Sequence, residues 1–320
     1  MRTPKVSVII CMYKGEKTVH RMINCVLNQT YTNFEVILVD DGSPDRCGEI
    51  AEEYEKKDIR VRALHKQNGG LASARNAALE IAQGEYTIQF DQDDWVDLNC
   101  LEEMVKVADS ENADMLICDN YREDNGKQFP SCQKPSSLDH YSVLKEMIMG
   151  RLSGYCWNKL IRRSCYEKYH VRFPIEFYGC EDQYGQCALL KNDIKISYLP
   201  KAFCHYVTTT ESLSRYYDEH TYENDKIMRD MFVELLADTP YKDLAYQRKT
   251  SYMFGRAFMY GHNFFSSSSF KKEFAPYENI IFSIPRAKYF NRLYKMSFRG
   301  YYQFAWHIFN ILFSIKQKMK

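Results

Sequence analysis

The chain has 320 residues, 27% of them charged and 45% hydrophobic, and a formal net charge of +1. This composition excludes a disordered or collagen-like chain, and the length gives room for one large domain with an appendage and an ample core. The near-zero charge conceals an uneven distribution: residues 1–278 carry −7, whereas the segment beyond Glu278 has no acid and eight cations, from Arg286 to Lys320.

In chain order, Val6–Ile10 reads as a short, fully apolar strand, close enough to the start that no secretory leader is expected. Lys17–Gln29 follows with Val19, Met22, Ile23, Val26 and Leu27 at helical spacing. The run FEVILVDDGS is a β-branched strand ending in Asp40 and Asp41, and the turn formers after it make Asp40 a turn cap. A helix over Cys47–Lys56, a strand over Val61–His65 and a helix over Leu71–Gln83, opened by Gly69-Gly70, lead to EYTIQFDQDDWVD. There Tyr86, Ile88 and Phe90 alternate with Thr87 and Gln89 before the acids begin. Strands alternating with helices predict right-handed βαβ units and a parallel sheet, with ligands beyond the carboxyl ends of the strands.

Those ends carry chemistry. The first is followed by Cys11-Met12-Tyr13-Lys14-Gly15-Glu16, the second by Asp41, the third by Lys66 and Asn68, and the fourth by Asp91-Gln92-Asp93-Asp94. Two like charges about 4 Å apart repel by roughly 4 kcal/mol at an effective dielectric near 20, so a crowd of carboxylates needs a partner. A divalent cation bridging Asp91, Asp93 and two phosphates turns the repulsion into attraction, and Lys66 and Arg75 suit phosphate oxygens. A nucleoside diphosphate with its metal uses all of these groups. Asp94 reads as the N-cap of the next helix.

VSVIICMYKGE, VLNQTYTNFEVILVDDGSPD, KQNGGLASARNAAL and YTIQFDQDDW, with WNKLIRR, RFPIEFYGCEDQ and YLPKAFCHY…SLSR after them, resemble family 2 glycosyltransferases of the GT-A fold over residues 4–215. The resemblance implies a Rossmann-like α/β domain over 1–215, with a nucleotide-binding half (1–97) and an acceptor half (98–215), followed by a helical region over 216–320. It implies inverting transfer of a hexosyl or N-acetylhexosaminyl group from a nucleotide-diphosphate sugar, most often a UDP-sugar, to a glycan or lipid-linked acceptor, with Mn²⁺ or Mg²⁺. Carried over by residue, Tyr13 lies against the base with Glu16 in the same loop, and Asp41 binds the pyrimidine edge. Lys66, Asn68, Gly69, Gly70 and Arg75 line the ribose and diphosphate. Asp91 faces the donor and the metal, Gln92 lies beside it, Asp93 binds the metal, and His205 and Arg215 reach the metal or diphosphate. Asp182 is the general base, paired with Glu181, and Trp157 and Asn158 frame the acceptor. The first loop departs from the family, which commonly has proline, a small residue, tyrosine and asparagine where this chain has Cys11-Met12-Tyr13-Lys14. The rival readings are a nucleotidyltransferase, disfavoured by the single glycine in the first loop, and a silent relative acting in binding or assembly. No nucleic-acid partner is expected.

The eleven cysteines form no C-x-x-C pair, which points to free thiols in a cytoplasmic protein rather than a disulfide framework or a zinc site. In the tail, Tyr301–Ile315 carries polar residues only at Gln303, His307, Asn310 and Ser314, one stripe of a helix. At 1.5 Å per residue it falls short of a bilayer core of about 30 Å. Flanking cations suit a helix in the inner membrane interface, over residues 286–320; the alternative is packing on the protein or a homodimer contact.

Overall fold

The structure, a computed structural model, describes residues 3–124, 126–208, 217–285 and 288–318, with side chains undescribed at 289 and 314–318. Arg215, Arg286 and Lys320, named above, lie outside the described residues. The chain divides into two compact units, Met1–Thr210 and Glu211–Lys320.

The first unit opens with four strands and three helices in alternation: β1 (Val6–Met12), α1 (Val19–Leu27), β2 (Phe34–Asp40), α2 (Cys47–Lys57), β3 (Val61–His65), α3 (Gly70–Ile81) and β4 (Tyr86–Asp91). They form a parallel sheet in the order β3-β2-β1-β4. Every residue of β2 is buried, as a strand covered on both faces requires. For the same reason the alternation in β4 does not mark an exposed face: Thr87 and Gln89 are as buried as their apolar neighbours. The register sets Met12 beside Asp40, Asp40 beside His65 and Cys11 beside Asp91. One edge of the sheet therefore gathers all four chemistry-bearing loops. Gly84 lets the approach to β4 lie on β1, since a Cβ there would meet Ser7 N at 2.4 Å.

The rest of the unit comprises β5 (Trp95–Val96), α4 (Cys100–Glu111), β6 (Met115–Asp124), β7 (Lys127–Ser131), α5 (His140–Ile148), β8 (Lys159–Arg162), α6 (Ser164–Lys168), α7 (Glu181–Leu190) and β9 (Ile196–Val207). The sheet continues β4-β8-β6-β9-β5, with β7 on β6. Strand β8 is antiparallel to both neighbours and β5 is antiparallel to β9, while β6 and β9 run parallel, so a mixed half extends the parallel one. The architecture is the expected α/β sheet flanked by helices.

The second unit is helical: α8 (Glu219–Leu235), α9 (Lys242–Tyr260), α10 (Ser267–Phe274), α11 (Glu278–Ser283), α12 (Lys288–Met296), a π turn (Ser297–Tyr301) and α13 (Tyr302–Lys318). Asp218 and Ser266 cap α8 and α10 by accepting from Thr221 N and Ser269 N. The core is aromatic, with Phe254, Phe258, Phe270, Phe274 and Tyr302 fully enclosed and Phe254 edge-on to Phe274 at 5.1 Å. Gly300, at φ 93°, bends the chain between α12 and α13. Among the described residues no helix is long and apolar enough to cross a membrane. The cysteines are free, and Cys132 alone is exposed.

Candidate donor and catalytic site

After β1 the chain exposes the ring of Tyr13, and Lys14 takes a left-handed φ of 52°. Tyr13 N donates to Gln92 Oε1 at 3.1 Å and its carbonyl accepts from Gln92 Nε2 at 2.9 Å. Gln92 therefore clasps this loop with one donor and one acceptor of its amide. Gly15 leaves the space, as a Cβ there would lie 1.9 Å from Gln92 Oε1. Glu16 also turns inward: its carboxylate accepts from Arg46 N, at the start of α2. Both residues shape the loop that presents Tyr13.

Asp41 is buried, and its carboxylate accepts from Lys66 Nζ (2.6 Å), Gly70 N (2.8 Å), Gly69 N (3.1 Å) and Asn68 Nδ2 (3.2 Å). An ionised carboxylate has about four acceptor positions, so all are used. Asp41 thus folds the Lys66–Gly70 loop around itself in place of presenting an edge to a pyrimidine. Asp40 caps its turn through Ser43 N, as expected.

Arg75 is set differently from its expected place at the diphosphate. It is buried on α3, donates from Nη2 to Asp91 Oδ1 at 3.2 Å, and its Nη1 faces Asp182 and, at 3.6 Å, Glu181. One guanidinium joins the acid at the end of β4 to the acid pair opening α7. The pair is presented by two left-handed residues, Gly179 (φ 72°) and Cys180 (φ 76°), at the N-terminus of a ten-residue helix whose dipole favours carboxylates there. Asp182 Oδ2 also accepts from Cys156 N at 3.3 Å, whereas Glu181 Oε2 is buried without a hydrogen-bond partner. Asn76, the next residue on α3, exchanges two hydrogen bonds of 2.8 Å with the Phe173 backbone.

Burial raises the carboxyl of Asp91 above the ordinary range, Arg75 opposes that rise, and the charges of Asp93 and Glu181 add to it. Asp93 is exposed, and no hydrogen bond or ion pair to its carboxylate exists among the described residues. Asp94 is not the expected helix cap, a place taken by Asn99; it is buried and accepts from Val207 N at 2.8 Å. Among the described residues no three His, Cys, Asp or Glu side chains gather as a metal cage. Mg²⁺ and Mn²⁺ commonly bind through one or two carboxylates plus substrate phosphates, so the donor set of Asp91 and free Asp93 fits such an ion.

Three expected residues leave the site. His205 is buried between the rings of Trp95 (3.5 Å) and Tyr121 (4.7 Å), with Nε2 3.2 Å from Asp97 Oδ1. Burial lowers its pKa, and the enclosing rings take it out of the metal set. Trp157 and Asn158 are fully enclosed, the latter donating to the Cys118 carbonyl, so neither side chain can meet an acceptor. The exposed ring of that loop is Tyr155, which stacks with Trp157 at 4.9 Å and with Tyr206 at 5.9 Å. The signal for it lay two residues before the quoted WNK run. Lys159, within that run, is a buried cation that sequence reasoning passed over; it donates to the carbonyls of Ser153 and Tyr155 and to Asn158 Oδ1.

The family described as Glycosyl transferase family 2 matches residues 7–172. EpsH of Bacillus subtilis (strain 168), named as a glycosyltransferase, is 34% identical over 233 residues, which are 70% of this chain and 67% of EpsH. The poly(ribitol-phosphate) beta-N-acetylglucosaminyltransferase TarS of Staphylococcus aureus (strain Mu50 / ATCC 700699) is 30% identical over 239 residues, 72% of this chain and 40% of TarS. In fold, the chain is similar to the crystal structure of S. aureus TarS 1–349 in complex with UDP-GlcNAc (TM-score 0.62, 20% identity, 86% of this chain and 88% of that one). The complex of the same protein with UDP gives a TM-score of 0.63 at 22% identity, covering 96% of this chain and 91% of that one.

Proposed function

The chain belongs to glycosyl transferase family 2, and we propose that it transfers a sugar from a UDP-sugar to a hydroxyl of a glycan or lipid-linked glycan, with inversion and with Mn²⁺ or Mg²⁺. The observation that carries this reading is the bridge from Asp91 through Arg75 to Asp182, with the carboxylate of Asp93, unpartnered among the described residues, beside it. The name of TarS as an N-acetylglucosaminyltransferase, and its complexes with UDP-GlcNAc and UDP, support the donor class.

In this mechanism Tyr13 offers its exposed ring to the base, and the Lys66–Gly70 loop held by Asp41 borders the donor. Asp182 takes the proton of the acceptor hydroxyl as that oxygen bonds the anomeric carbon. The bond from that carbon to the diphosphate breaks, the electron pair leaves with the nucleoside diphosphate, and the configuration inverts. A divalent ion held by Asp91 and Asp93 would neutralise charge on the departing diphosphate. Arg75 fixes the orientation of Asp182 without touching the reacting atoms, and Tyr155 supplies an aromatic face on the acceptor side.

The test is release of nucleoside diphosphate across a panel of nucleotide-sugars with Mn²⁺, Mg²⁺ or EDTA, alongside nucleotide binding. The native protein is expected to hydrolyse one donor slowly and only with metal, and Asp93→Asn to lose that stimulation. Asp182→Asn should keep nucleotide binding while transfer falls by about 10³-fold, the scale of a lost general base. If no nucleotide binds with any metal, the acids are not a donor site and the silent-relative reading replaces this one.

A further inference from the structure

The tail was open to two readings, membrane interface or packing, and the second unit contains elements of both. Helix α13 buries Tyr302, Ala305 and Phe309 in the aromatic core, and Gln303 donates to the carbonyls of His262 (2.8 Å) and Phe265 (2.6 Å). It is therefore a packed helix. Yet its exposed surface is largely apolar: Tyr301, just before the helix, and Phe304, Ile311 and Leu312 are 60%, 61%, 61% and 46% exposed, with His307 the exposed polar residue among the described side chains. With half-buried Ile308 they recur at steps of 3, 4, 3 and 1, within an arc of roughly 100° at 3.6 residues per turn. A soluble surface helix places charged or polar residues on that side.

Helix α12 supplies the complement. Lys288, Arg292 and Lys295, with Arg299 in the π turn that follows, are all exposed and recur at 4, 3 and 4, one helical stripe, while Leu293, Tyr294 and, in the π turn, Phe298 point into the core. None of the four has an ion pair among the described residues. The stripe ends at Arg299, one residue before the bend at Gly300 beside which Lys271 lies, and the apolar arc begins one residue after it.

We infer that α12 and α13 form a docking surface for an anionic lipid bilayer, on which the arc of α13 enters the interface and the stripe of α12 meets the headgroups. Charge complementarity selects this occupant. A second copy packed on the same surface would set one row of unpaired cations against another, which like-charge repulsion opposes. An apolar helical face bordered by cations is the composition that interfacial helices use, and attraction to anionic lipid adds to the apolar burial. The surface lies in the second unit and is independent of the donor-site reading.

The experiment is flotation of the full chain with vesicles of phosphatidylcholine alone or mixed with phosphatidylglycerol, at low and high salt, with light scattering of the free protein. The native protein is expected to float with the phosphatidylglycerol vesicles at low salt. It should remain behind with phosphatidylcholine alone. Phe304→Glu with Ile311→Glu, and separately Arg292→Glu with Lys295→Glu, should each lower the floated fraction at least about tenfold with an unchanged thermal midpoint, since all four side chains are exposed. Two results overturn the inference: native protein that stays with the soluble fraction in both lipids, or, at low salt, a stable dimer that the Phe304/Ile311 variant dissociates.

Discussion

Lys159 illustrates what single residues contribute here. Its ammonium is buried among three oxygens of its own loop, and burial lowers its pKa to about 8. Between about pH 8 and the unfolded value of 10.5, the unfolded chain holds a proton that the folded one has lost, so folded stability rises with pH across that window. Below pH 8 both states are protonated and the cost of burying the charge is borne in full. The stability of the native protein relative to Lys159→Met should therefore grow by about 3 kcal/mol from pH 8 to 10.5, read from urea midpoints of both proteins. Tyr155 tests the other side of the same loop: Tyr155→Ala should weaken use of the acceptor about tenfold with nucleotide binding unchanged, while Tyr155→Phe retains it. That acids would gather at the end of β4 was legible in the sequence, from three carboxylates in four residues, although Asp94 serves to hold β9 through Val207 N. Their partners were not. Nothing in the local pattern distinguishes an arginine facing a phosphate from Arg75 buried against Asp91 and Asp182, or a free amide from Gln92 clasping Tyr13, since the choice depends on which loops the sheet brings together.

At the scale of elements, β1 to β4 and the helices between them could be read directly, because β-branched runs and helical spacing alternate without interruption. Boundaries moved where turns intervened: the first helix begins at Val19, after the turn around Gly15, and not at Lys17. The mixed half was less legible, since β5 has two residues, β8 has four, and the parallel β6–β9 pairing shifts register between Cys118 and Asn120. What joins the halves chemically is α3, which carries Arg75 and Asn76 on consecutive positions. Asn76→Ala removes both hydrogen bonds to the Phe173 backbone, which leads to the Gly179-Cys180 turn opening α7, and should cost about 1–3 kcal/mol of stability. If α3 positions the base, the same variant should lower transfer turnover more than donor affinity, measured by comparing kcat with nucleotide Kd.

Over the whole molecule, an acidic catalytic unit and a helical unit with a basic, apolar surface occur in one chain. The two proposed activities should separate by substitution: Asp93→Asn should float with vesicles as the native protein does, and the Phe304/Ile311 variant should retain nucleotide affinity within about twofold. The surface of the second unit has a consequence for the protein away from any membrane. Its cations keep copies apart only while their field extends into solution, and at 1 M salt that range contracts to about 3 Å. The exposed rings of α13 would then meet without opposition. Concentrated salt should therefore drive this chain together in solution, reversibly and through one helix, so that dilute buffer, not brine, is the condition in which it stays dispersed.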